Sequence, residues 1–149
     1  MREHVAVVDL GYGDAGKGTV VDALCAAGPV HAVLRFNGGA QAAHNVVTET
    51  GRHHTFAQFG SGTLRGVPTH LTRFVVVDPL ALAAEAACLG NPFPLLTVDG
   101  DALLATPWQR AATSVARALS GLQGNQAALV GRGLTGGSFF GGARRLWPR

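Results

Sequence analysis

An acid and a base stand three positions apart inside a glycine loop, Gly11-Tyr12-Gly13-Asp14-Ala15-Gly16-Lys17-Gly18. Such a loop lets backbone N–H groups approach phosphate oxygens, a following helix adds the positive end of its dipole, and the lysine adds a point charge. The spacing is G-x-x-x-x-G-K, but position 18 is glycine where an ordinary P-loop has a Ser or Thr hydroxyl for Mg²⁺. Asp14 is electrostatically unwelcome beside a triphosphate unless it binds a cation or takes a proton from the substrate. The residues therefore predict a nucleotide-phosphate site whose acid takes part in the chemistry.

A second small-residue loop follows, Arg35-Phe36-Asn37-Gly38-Gly39-Ala40-Gln41-Ala42-Ala43-His44-Asn45-Val46-Val47. Taken together the two loops resemble those of adenylosuccinate synthetase, whose motifs run close to Q-W-G-D-E-G-K-G-K and R-x-x-G-G-x-N-A-G-H-T-V-V. Ser61-Gly62-Thr63-Leu64 and Val76-Val77-Asp78-Pro79-Leu80-Ala81-Leu82 continue the similarity, matching S-G-I-L and V-V-x-D-P-x-A-L in order. The resemblance covers about residues 4 to 110 and fades beyond.

The resemblance implies a GTP-dependent ligase that joins L-aspartate to IMP. A base removes the N1 proton of IMP, the 6-oxygen attacks the γ-phosphoryl group of GTP, and the aspartate amine then displaces phosphate. Asp14 matches the family's base and His44 its general acid. GTP and phosphate contacts are implied for Gly13, Asp14, Ala15, Gly16, Lys17, Gly18, Thr19, Ala43, His44 and Asn45. IMP contacts are implied for Asp14, Ala15, Gly16, Lys17, Gln41, Ala42, Ala43 and His44. Mg²⁺ is expected on Asp14 and the carbonyl at Ala43, an all-oxygen set completed by phosphate. The family further implies a homodimer.

Several positions depart from the family pattern; among them Ala15 replaces a glutamate, Gln41 an asparagine and Ala43 a glycine. Gln41 keeps an amide with a longer reach, and Ala43 introduces a Cβ that intrudes if the backbone there needs positive φ. A related branch makes 2-aminoadenylosuccinate from dGMP, and the residues leave that substrate open. At 149 residues the chain is also far shorter than the family enzyme, whose aspartate-binding loop and guanine-recognising motif lie downstream. A truncated purine-nucleotide-binding module without turnover therefore stands as the alternative. A generic P-loop ATPase or kinase is disfavoured by Gly18 and by the lack of a clear Walker-B acid.

The elements that must position these loops read as α/β. Val5 to Leu10, Val30 to Phe36, Phe74 to Val77 and Leu95 to Val98 are short apolar runs without alternation, as for strands covered on both faces. They alternate with helical segments at Thr19 to Ala27, Pro79 to Leu89 and Pro107 to Leu119. Asp78 is an N-cap with Pro79 at the first helical position, and Thr106-Pro107-Trp108-Gln109 is a capping-box pattern. This predicts a mainly parallel sheet with flanking helices, a P-loop-like architecture with ligand loops at the carboxyl ends of strands. A hairpin is expected from Asn45 to Thr48 and Thr55 to Phe59. The domain division is 1–120 for the nucleotide-binding unit and 121–149 for a poorly ordered Gly/Arg tail, which carries Arg132, Arg144, Arg145 and Arg149 and no acid.

Other residues read as structural. His53-His54 project to opposite faces of a hairpin and flank its turn. Cys25 and Cys88 are expected as buried small hydrophobes, and Asp99-Gly100-Asp101 as a turn. Arg35 is expected to hold its adjacent loop by hydrogen bonds. Hydrophobic residues make up 47% and charged ones 14%, which fits a folded globular chain and not a disordered one. The net charge of +3 is too small and too concentrated in the tail to predict nucleic-acid binding. No apolar run is long enough to span a bilayer, and the expected location is cytoplasmic.

Overall fold

The computed structural model describes residues 4–10, 15–36, 38–39, 42–109, 111–112 and 115. The tail expected at 121–149 lies outside these residues, as does the far end of the helix expected at 107–119. The architecture is α/β with a mainly parallel sheet. Helix α1 (Lys17–Ala27) is followed by strands β1 (Val33–Arg35), β2 (His44–Val47), β3 (His53–Phe56), β4 (Thr69–Leu71) and β5 (Val76–Val77). Helix α2 (Pro79–Cys88) then leads to β6 (Leu96–Val98) and β7 (Leu103–Leu104).

Strands β1, β4 and β6 form a parallel sheet in that order, with Val33 opposite Thr69 and Thr69 opposite Leu96. The same three stretches of chain stay together beyond it, since Gly38 bridges Val75 and β5 pairs in parallel with β7. Successive side chains alternate between faces. Arg35, Thr69 and Leu71 are accordingly buried on one side, while Leu34 on the other is exposed. Phe56, Phe59, Leu71, Val75, Val77, Leu82 and Ala86 make the core between the sheet, α2 and the hairpin.

Both expected helix starts are built from local side chains. Asp78 Oδ1 accepts from the N–H groups of Leu80 and Ala81, each at 3.0 Å, and Pro79 follows it at the helix start. Thr106 and Gln109 form the reciprocal box: the Thr106 N–H donates to Gln109 Oε1 at 2.7 Å, and the Gln109 N–H donates to Thr106 Oγ1 at 3.4 Å. The hairpin is also present, with His44 opposite Phe56 and Val47 opposite His53.

Two expectations are corrected. Residues 4–10 form no strand; Val5, Val8 and Leu10 are 69%, 68% and 96% exposed. A strand exists only within a ladder, and none of the described strands pairs with this segment. Cys88 is exposed on the outer side of α2, whereas Cys25 is partly buried and burial raises its thiol pKa.

The Ser61-Gly62-Thr63-Leu64 motif is a packing device. A Cβ on Gly62 would lie 2.8 Å from Cys25 Sγ and 3.0 Å from Val67 Cβ, so only glycine lets this turn seat against α1. Arg65, at the end of the following 3-10 turn (Thr63–Arg65), donates from Nε and Nη2 to the two oxygens of buried Asp22, both at 2.8 Å. This two-pronged bond fixes α1, and hence its N-terminus, to the body of the molecule.

Candidate active site

Lys17, Gly18 and Thr19 open α1 and face the first residues of β2. A Cβ on Gly18 would sit 2.8 Å from His44 Cβ and 3.1 Å from the His44 backbone. Real side chains do not tolerate that approach, so glycine at position 18 is what allows the second loop to return its histidine onto the start of α1. The loss of the usual P-loop hydroxyl thus has a steric cause. Thr19 Oγ1 adds a bond to the Asn45 carbonyl at 3.2 Å. Gly16, the N-cap, brings no side-chain acceptor to the first-turn N–H groups, and such groups favour an anion.

The electrostatics suit that role. Lys17 lies on this surface, and Arg35 is buried at the end of β1. Burial above all, then the positive fields of Arg35 and Lys17, lower the His44 pKa to about 4. The ring is therefore neutral near pH 7 and can donate an N–H while leaving the local field positive. Burial likewise lowers the Arg35 pKa to about 10, opposed by nearby Glu85.

Among the described residues Arg35 also serves a second turn, beyond the loop that follows it. Its Nη1 donates to the carbonyls of Ala57 and Phe59. The carboxylate of Glu85 takes the N–H groups of the same turn, at 3.1 Å from Ala57 and 2.6 Å from Gln58. His54 also turns inward, its Nε2 lying 3.5 Å from Glu85 Oε1, while His53 on the opposite face bonds Asn45 Oδ1. Sequence reasoning missed Glu85, although it is the one charged residue in an otherwise apolar helix, and such a residue is rarely buried unpaired.

Of the expected site residues, the structure brings Lys17, Gly18, Thr19, His44 and Asn45 together. The Asn45 side chain is engaged within the hairpin, accepting from Thr55 Oγ1 at 3.2 Å. Ala15, Gly16, Ala42 and Ala43 flank them in sequence. Among the described residues Asn91 alone combines a side chain with positive φ, so Ala43 sits in ordinary backbone and its Cβ brings no strain of that kind. Gly13, Asp14 and Gln41 lie outside the described residues. Among those described, no group of three or more His, Cys, Asp or Glu side chains could hold a metal. No described helix is long and apolar enough to cross a membrane.

A mainly parallel α/β layer in which the start of α1 meets the first residues of β2 defines the class of fold. Within that class the family is specific: the Adenylosuccinate synthetase family model matches residues 6–135, and the chain belongs to that family. An adenylosuccinate synthetase of Thermoplasma acidophilum is 41% identical over 93 residues, covering 62% of this chain and 21% of that protein. One from Mycobacterium leprae is 34% identical over 134 residues, covering 87% and 30%. The structure of fully ligated adenylosuccinate synthetase from Plasmodium falciparum matches with a TM-score of 0.70 at 20% identity, over 90% of this chain and 32% of that one. That last likeness is one of fold. The chain spans between about a fifth and a third of the length of these relatives.

Proposed function

We propose that this chain supplies the phosphoryl-transfer half-site of an adenylosuccinate synthetase-like ligase, which condenses IMP with L-aspartate at the expense of GTP. The close approach of Gly18 and His44 carries this reading, because it brings the histidine to the helix start that would cradle the γ-phosphate. In the proposed reaction Asp14 takes the N1 proton of IMP, and the 6-oxygen attacks phosphorus in line with the departing GDP oxygen. Lys17 and the first N–H groups of α1 hold the phosphate oxygens, and His44 donates to the group in transit. Gln41 and Ala42 would face the IMP phosphate.

Mg²⁺ would be held by Asp14 and the Ala43 carbonyl with phosphate oxygens, a donor set of the hard all-oxygen kind this ion takes. When bound it would neutralise charge on the phosphates. The homodimer and cytoplasmic location implied by the family belong to the same proposal.

The partial span of the relatives favours a second reading, a purine-nucleotide-binding module without turnover. Titration calorimetry with GTP and Mg²⁺ tests what both share. Binding is expected, weakened about tenfold or more by Lys17→Ala, since a charge-assisted contact contributes roughly 1.5–3 kcal/mol. A chain that binds no nucleotide ends both readings.

A further inference from the structure

Lys17 is already holding an anion. Its Nζ donates to Asp9 Oδ2 at 2.6 Å, and the Asp9 side chain is only 9% exposed against 34% for Lys17. Asp9 lies eight residues upstream, on the segment that precedes the glycine loop in the chain. Its partner is the lysine whose position in a G-x-x-x-x-G-K loop reaches the terminal phosphates of a bound nucleotide. A carboxylate oxygen and a phosphate oxygen make the same demand on an ammonium: a short, charge-assisted N–H···O bond. The two compete for one group.

We propose that Asp9 is an internal stand-in for phosphate, which competes with a bound anion for Lys17 and sets the affinity and charge selectivity of the site. The inference rests on the proposed nucleotide site and adds a residue to it. An entering polyphosphate must draw Lys17 away from Asp9 and must also sit near a carboxylate that becomes exposed to its charge. Monoanions offer too little field to do this, whereas a triphosphate does. Asp9 therefore selects for highly charged ligands, and it keeps the lysine's stem in the orientation from which it can swing to them.

The test uses inorganic tripolyphosphate as probe, titrated calorimetrically without divalent cation into the full chain and its Asp9→Asn variant. The expected result is binding about three- to tenfold tighter in the variant, the range for removing a partly exposed ionic competitor. In a Lys17→Gln background the same Asp9→Asn change is expected to have a clearly smaller effect, because only the direct repulsion between Asp9 and the polyphosphate is then relieved. Unchanged or weaker binding in Asp9→Asn, no binding by either protein, or an equal effect in the Lys17→Gln background overturns the proposal. Lysine-selective nitrogen NMR on the unmodified chain supplies a readout that needs no variant. The Lys17 ammonium signal is expected to be slow to exchange and to shift on adding tripolyphosphate, and a free, fast-exchanging ammonium also overturns it. GTP separates this inference from the nucleotide reading. If GTP binds no better than tripolyphosphate while Asp9→Asn still tightens both, the nucleotide reading fails alone; if GTP binds well and Asp9→Asn changes nothing, only the present inference fails.

Discussion

His44 is governed by its surroundings more than by its own chemistry. Desolvation, Arg35 and Lys17 hold its pKa near 4, far below the ordinary 6.5. Between those values the unfolded chain takes up a proton that the folded one refuses. The histidine's contribution to stability is thus complete above pH 6.5 and is lost as pH falls through this window toward 4. Because the ring keeps some contact with solvent, the effect is on the order of 1 kcal/mol. Denaturant unfolding at pH 7 and pH 4.5 is expected to show this drop in the wild type and a smaller one in His44→Gln. A bound triphosphate reverses the sign of the local field, so the midpoint of the ring is expected to rise on nucleotide binding, as NMR titration would report. An unligated midpoint at the ordinary value would refute the account. Sequence could point to His44 through the spacing of its loop, and it could see that position 18 lacked a hydroxyl. It could not see why, because the reason is a contact between residues far apart in the chain. Asp9 was hidden for the same reason: nothing local marks an aspartate that pairs with a lysine eight positions on.

At the scale of elements, what was readable was what neighbouring residues decide among themselves. The start of α2 follows from Asp78 and Pro79, and the turn at Thr106 follows from its glutamine three residues on, because caps are local hydrogen bonds. Asp78→Ala is expected to cost about 1 kcal/mol of stability in denaturant titrations, the usual cost of losing a cap that holds two N–H groups. Because an asparagine side-chain oxygen can accept the same two N–H bonds, Asp78→Asn is expected to recover most of that loss. A variant with alanine as stable as the wild type would show that the cap does not matter. Strands were less readable. Leu96–Val98 emerged close to its expected bounds, whereas the apolar run at Val5–Leu10 did not become a strand. Apolar composition states only that a segment wants cover, and pairing depends on partners that composition does not name. Glu85 illustrates the complementary case, in which one buried acid organises the Ala57–Phe59 turn from a helix distant in sequence.

At the scale of the whole molecule, the decisive quantity is how much positive charge can be brought to a phosphoryl group in transit. Transfer of this kind depends on positioning and on charge stabilisation, for which an arginine is a frequent agent. Among the described residues every arginine is already engaged. Arg35 serves the carbonyls of Ala57 and Phe59, and Arg52 the carbonyl of Leu64. Arg65 holds Asp22 and Glu49, and Arg73 faces Asp99 and Asp101. Lys17 is shared with Asp9. Freeing Arg35 or Arg65 would break a buried contact that shapes the fold, so on the proposed reading the described part of the chain has little cationic charge to spare for the reaction. The relatives carry two thirds or more of their length beyond the portion matched here. Incubated alone with IMP, aspartate, GTP and Mg²⁺, this chain is therefore expected to give little or no adenylosuccinate by absorbance. Addition of the remaining portion of a relative is expected to raise the yield, and Asp14→Asn to abolish it while much of the nucleotide binding persists. Vigorous turnover by the chain alone would mean that one of these arginines, or one outside the described residues, moves to the phosphate, and the charge argument would then fail.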